Sequence, residues 1–141
     1  MKLILITYVL LVFSLIAYGQ EKRKVSYDNL EMIDGIAYVK GEKTPFTGFC
    51  FKNHENGQIG MGGNFVNGKR EGEWVWWYKT GVKQRYTQYK DGKKDGKCIW
   101  YYKNGQKKSE ITFVENQNVK QLSWNKAGQR IPNPSFSSFS D

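Results

Sequence analysis

The chain has 141 residues, of which 39% are hydrophobic and 16% aromatic, and its formal charge is +9. That length fits one domain, and the basic balance permits attraction to phosphates, acidic polysaccharide or an anionic membrane face without requiring any of them. One histidine (His54) and two distant cysteines (Cys50, Cys98) give no zinc-ligand spacing, and neither a nucleophile elbow nor a phosphate-binding glycine loop is present.

Residues 1–19 read as a secretory signal peptide. Met1-Lys2 is a short basic start, Leu3 to Ala17 is nearly all apolar, and Ala17-Tyr18-Gly19 supplies small residues for cleavage before Gln20. The alternative is an uncleaved N-terminal anchor, although the run is short for a bilayer span. No cysteine stands directly behind the run at the cleavage position, which excludes a lipoprotein anchor. The expected product is exported, to the periplasm, the outer surface or the medium. Loss of Lys2 with the leader leaves a formal +8.

Residues 20–32 are polar and basic and are expected to form a flexible lead-in. Leu30 to Lys40 alternates around Asp34-Gly35 and predicts a hairpin that caps the repeat array. Residues 33–131 are expected to form one β-repeat domain, and residues 132–141, with two prolines and four serines, a disordered tail.

The repeat is plainest from Gly72 to Asn104. A glycine opens each strand (Gly48, Gly72, Gly96), and an aromatic run comes next, Trp74-Val75-Trp76-Trp77-Tyr78 and then Trp100-Tyr101-Tyr102. Hairpin glycines come at Gly57, Gly81, Gly105 and Gly128, and the second strands close on Phe65, Tyr89 and Phe113. Gly68 and Gly92 mark a second turn, where the next copy has Asn116. The period is 24 residues, with the last hairpin interval one shorter. Trp76, Trp100 and Trp124 form a tryptophan column, with Lys52 in the same slot of the first unit. Trp100, flanked on both sides, is expected to be the interior of that stack, so that Trp100→Ala costs about 3–5 kcal/mol and Lys52→Ala little. Aromatic runs punctuated by Asn-Gly and Asp-Gly are hairpin signals, and no stretch of the mature chain has helical apolar spacing. The expected fold is therefore all-β: an open, elongated antiparallel meander of stacked hairpins. Cys50 and Cys98 occupy equivalent slots two units apart, about 19 Å at the usual strand spacing, with Trp74 between them. That separation forbids a disulfide.

Several residues are candidates for binding. Lys69-Arg70 and Lys93-Lys94 fall in the same turn of consecutive units and should stack along one sheet edge. Trp77 and Tyr101 point away from Trp74 and Trp76, so they could form an exposed aromatic face. His54 has no partner for catalysis, and the carboxylates (Asp91, Asp95, Glu110, Glu115) have turn or surface explanations. No catalytic residue, metal or cofactor is expected, and no nucleic-acid partner.

Gly72-Glu-Trp-Val-Trp-Trp-Tyr-Lys-Thr-Gly81 and Gly96-Lys-Cys-Ile-Trp-Tyr-Tyr-Lys-Asn-Gly105 resemble the bacterial variant of the MORN repeat, of the YwqK-family antitoxin-component type. The resemblance spans roughly residues 33 to 131. It implies a sheet used as a scaffold or binding surface, with an antitoxin-like neutralising role as one alternative. Together with the export signal it suggests a non-catalytic module of the envelope that binds a protein partner. Electrostatic binding to anionic lipid headgroups or acidic polysaccharide is the other alternative.

Overall fold

A computed structural model describes residues 23–133. The expected leader, and the expected tail apart from Pro132 and Asn133, lie outside the described residues.

The described chain is built of strands. They are β1 (Lys24–Ser26), β2 (Leu30–Ile33), β3 (Ile36–Val39), β4 (Gly48–Asn53), β5 (Ile59–Val66), β6 (Lys69–Trp77), β7 (Lys83–Lys90), β8 (Lys93–Tyr101), β9 (Lys107–Val114), β10 (Gln117–Trp124) and β11 (Arg130–Ile131). The single helical element among the described residues is a 3₁₀ turn at Tyr27–Asn29. Nine strands make one open sheet in the order β1-β4-β5-β6-β7-β8-β9-β10-β11, an antiparallel meander from β4 onward. β2 and β3 form a separate hairpin.

The lead-in is ordered from Lys24. β1 pairs in parallel with β4, Val25 opposite Cys50, and so covers the first edge of the meander. An exposed edge would otherwise leave a row of unpaired amides and carbonyls. Its polar composition hid a short strand whose partner lies some 25 residues downstream.

The predicted hairpin at Leu30–Lys40 is present, but it lies over a face of the sheet. Three backbone hydrogen bonds fix it to the β5–β6 turn: Ala37 N–H to Gly68 O, Phe46 N–H to Ala37 O, and Gly68 N–H to Phe46 O. Leu30, Ala37 and Phe46 thereby join Cys50, Phe65, Trp74 and Tyr89 in the main core. The rings run in a chain, Phe46 to Phe65 at 5.9 Å, Phe65 to Trp74 at 5.0 Å and Trp74 to Tyr89 at 6.3 Å. We call this side of the sheet the capped face and the other the outer face.

Cross-strand pairing defines the capped face. Trp74 opposes Thr87, Thr87 opposes Cys98, and Cys98 opposes Ile111. Cys50 opposes Gly63 at the start of the same row. Gly63 is required because a Cβ there would stand 2.2 Å from the Trp74 ring. The 24-residue equivalents, Thr87 and Ile111, flank the small Cys98 and can carry side chains. Both cysteines are free and buried.

Three expectations need correction. The glycines at 72 and 96 do not open their strands, because β6 and β8 begin three residues earlier, at Lys69 and Lys93. They sit instead at bulges, where β6 and β8 advance four residues while their partners advance two. Trp124 is not in the tryptophan column. The corresponding irregularity in β10 advances only two residues against one, which accounts for the shortened last interval. A one-residue difference exchanges the faces of every later side chain in the strand. Ser123, opposite Ser109 and hence in line with Trp100, takes the column slot. Finally, Trp100 is half-buried, whereas Trp74 is fully enclosed at 0% exposure. The column slot lies past the reach of the cap, and the slot two residues earlier lies beneath it.

Candidate functional site

The meander brings its turns to two long edges, and each edge repeats a pattern of contacts unit by unit.

At the hairpin-turn edge, four turns share one backbone geometry. His54, Tyr78, Tyr102 and Asn125 each donate N–H to the residue four ahead and accept from the glycine three ahead, at Gly57, Gly81, Gly105 and Gly128. Those glycines have φ near +80°, a region other residues rarely adopt. Side chains then bolt each turn to the next. Tyr78 Oη donates to Tyr101 O at 2.8 Å and Tyr102 Oη to Trp124 O at 2.9 Å. His54 Nε2 makes the same contact with Trp77 O at 2.9 Å. A carbonyl only accepts, so His54 carries its proton on Nε2. The sole histidine is thus a structural stand-in for tyrosine. Asn56 and Asn104 add donors to Lys79 O and Lys126 O.

The charges at this edge are not repeated. Residues 55, 79, 103 and 126 occupy one position of successive turns, as Glu, Lys, Lys and Lys. Lys79 Nζ pairs with Glu55 at 2.9 Å. Lys103 and Lys126 form no ion pair among the described residues, and neither does Lys108 on β9. These three lysines, with Tyr78, Tyr102 and Asn104, line an open cleft of about 550 Å³. Lys108 Nζ stands 5.8 Å from the centre of the Tyr102 ring.

The second-turn edge carries the four basic residues picked from sequence, and there each is engaged within the chain. Lys69 Nζ pairs with Asp91 at 2.9 Å and Lys93 Nζ with Glu115 at 3.4 Å. The Lys69 hydrogen bond and charge hold the Asp91 carboxyl below its ordinary range. Arg70 lies over the Trp74 and Tyr89 rings, at 4.7 and 5.4 Å, and Lys94 over Phe113 at 4.9 Å. The edge is a zipper of alternating charge, with a smaller hollow of about 200 Å³ between Lys90, Asp91, Lys93, Asp95 and Glu115.

Trp77 and Tyr101 are half-buried, as are Trp76, Trp100 and Trp124. The one-residue shift puts Trp124 in line with Trp77 and Tyr101, four residues before its hairpin glycine as they are before theirs. On the capped face beyond the hairpin, Arg85 is stacked 3.5 Å over Trp76 and opposes Trp100.

The arrangement offers little for catalysis. Among the described residues no group of three His, Cys, Asp or Glu could hold a metal. Burial pushes the Cys50 thiol up to about 11 and raises Cys98 as well, so neither is an activated nucleophile. Tyr86, hydrogen-bonded to Glu73 at 2.8 Å, is pushed up to about 12 by burial and that contact. Sequence reasoning missed the cleft lysines because it tracked basic pairs. The signal was the loss of the acid at residue 55 in the equivalent places 79, 103 and 126.

Fold and edges together define an open repeat sheet of stacked hairpins. Residues 70–91 and 94–115 each match the family model of the MORN repeat variant. The matches begin in β6 and β8 and end in the two succeeding second turns, so they frame the two most regular units. No curated protein and no solved structure matches the chain.

Proposed function

We propose that this protein is a non-catalytic binding scaffold of the bacterial envelope that holds a protein partner on its outer face. MORN repeats are generally associated with binding or scaffold roles. The observation that carries the proposal is the line of Trp77, Tyr101 and Trp124. These large aromatics are left partly open on hairpins whose positions are fixed by tyrosine-to-backbone bonds. Such residues contribute large contact area at low entropic cost, as binding anchors do. The envelope location rests on the apolar leader read at residues 1–19.

A photo-crosslinking residue placed at Trp77 or Tyr101 tests this in cells of the source type. A discrete adduct of defined mass in the envelope fraction is expected from both sites. The same residue at Lys52, on the capped face, should not give it. No adduct, or the same adducts from all three sites, would remove the support.

A further inference from the structure

We propose that the cleft between the last two hairpin turns, lined by Lys103, Lys108 and Lys126 with Tyr78 and Tyr102, binds an acidic saccharide.

The argument begins with charge. Where the chain uses a lysine to tie neighbouring turns, it supplies an acid: Glu55 for Lys79, Asp91 for Lys69, Glu115 for Lys93. Lys103 and Lys126 continue the series that Glu55 and Lys79 begin, but with like charge. They sit two strands apart, roughly 10 Å, across a cleft whose wall carries no acid among the described residues. Lys108 is a third ammonium where the preceding unit has Gln84. Among the described residues these three lysines line one cleft without a counter-charge, an arrangement suited to an anion supplied from outside.

Shape and chemistry then narrow the class. A cleft of about 550 Å³ is large for a lone phosphate and open enough for sugar rings. The Tyr78 and Tyr102 hydroxyls are already committed to Tyr101 O and Trp124 O. Their rings are therefore held in place, and what they offer a ligand is apolar surface. Asn104 also lines the cleft, although its amide donates to Lys126 O. Fixed aromatic surface beside ammonium groups suits a pyranose carrying a carboxylate or sulfate: the ring's apolar face packs on tyrosine and the acid meets lysine. A lipid headgroup would use the charge but not the aromatic walls. This site stands apart from the protein-partner reading, and its failure leaves the crosslinking result untouched.

The test titrates the chain from residue 20 onward with trigalacturonate, with its neutral methyl ester, and with vesicles of phosphatidylglycerol in phosphatidylcholine. Saturable binding of trigalacturonate is expected, with no comparable binding of the ester. The double variant Lys103→Gln/Lys126→Gln should lose about tenfold or more in affinity, as should the wild type on moving from low to high salt. Lys69→Gln/Lys93→Gln should leave affinity unchanged. Circular dichroism of both variants checks that the sheet persists. Absence of saturable trigalacturonate binding overturns the proposal, as does equal binding of the ester or equal loss in the two double variants. Binding to vesicles alone would also overturn it and assign the charge to lipid.

Discussion

The half of the sheet under the cap and the half beyond it are built from the same repeat yet hold together differently. Around β4 to β6, the β2–β3 hairpin and Phe46 cover the sheet, and the closing aromatic Phe65 is buried at 1% exposure. One unit on, Tyr89 is 8% exposed, and one unit further Phe113 is half-open. The hydrogen-bonded hairpins do not change along this gradient. The repeat therefore supplies the ladder and the turn geometry, while residues before the first unit decide where a core forms. An aromatic in the repeat is a candidate for the core, and the cap selects which candidates are used.

The strongest test of that difference is a pair of tryptophans. Trp74→Ala removes a fully enclosed side chain whose Nε1 donates to Asn64 O at 3.0 Å. A loss of about 3–5 kcal/mol is expected. Trp100→Ala removes a half-buried ring in the open half and should cost less than half as much. Thermal melting of the two variants measures this directly. Equal shifts would mean that the cap does not create the asymmetry.

Next in size is Gly63→Ala. The new methyl would meet the Trp74 ring at a distance no real Cβ tolerates. Overpacking of this kind costs about 1–3 kcal/mol. Combining it with Trp74→Ala should recover most of its separate cost, because the obstructing ring is gone. Simple additivity in that double-mutant cycle would show that Gly63 matters for some reason other than Trp74.

Much of this was legible in the residues, and what was not has physical reasons. The aromatic runs, the hairpin glycines and the 24-residue spacing define the meander, since period-two strands and turn residues are local signals. The equivalence of Cys50, Trp74 and Cys98 is also readable from spacing alone. Lys24–Ser26 escaped notice because a three-residue parallel strand is specified by its partner and not by its own composition. Trp124 was assigned to the wrong row because a constant period assumes a constant bulge. The irregularity near Val119 is one residue smaller than those at Gly72 and Gly96. The basic pairs at Lys69-Arg70 and Lys93-Lys94 stood out as positive charge, but their acids lie 22 residues away in the next turn. Whether a lysine is paired depends on register, which is why the cleft lysines emerged only from the fold.

A smaller effect should be shared by both halves. Tyr78→Phe and Tyr102→Phe each delete one phenol-to-carbonyl hydrogen bond between neighbouring turns. A loss of about 0.5–1.5 kcal/mol is expected from each, with similar values because the contact is the same. Chemical denaturation is the suitable measurement. A large cost at Tyr78 beside none at Tyr102 would indicate that the hairpin edge, too, is divided by the cap.

The smallest effect concerns the charge zipper of the second-turn edge, which also runs through both halves. Asp91 is exposed, and its pairing with Lys69 should be barely detectable in a melting curve. Its titration is the better readout. The Lys69 hydrogen bond and charge favour the ionised carboxylate, so Asp91 should titrate below its ordinary value of 3.8 in the folded chain. A folded-state value below the unfolded one places the stabilisation above the unfolded value, and it is lost as pH falls through the folded one. Lys69→Ala should move the Asp91 midpoint, tracked by nuclear magnetic resonance, back towards 3.8. High salt should do so in part, because the pair is open to solvent. An Asp91 midpoint that stays in place in Lys69→Ala would show that the Lys69 contact at 2.9 Å does not set the titration of its partner, and that the second-turn edge is held by its backbone turns instead of by its charges.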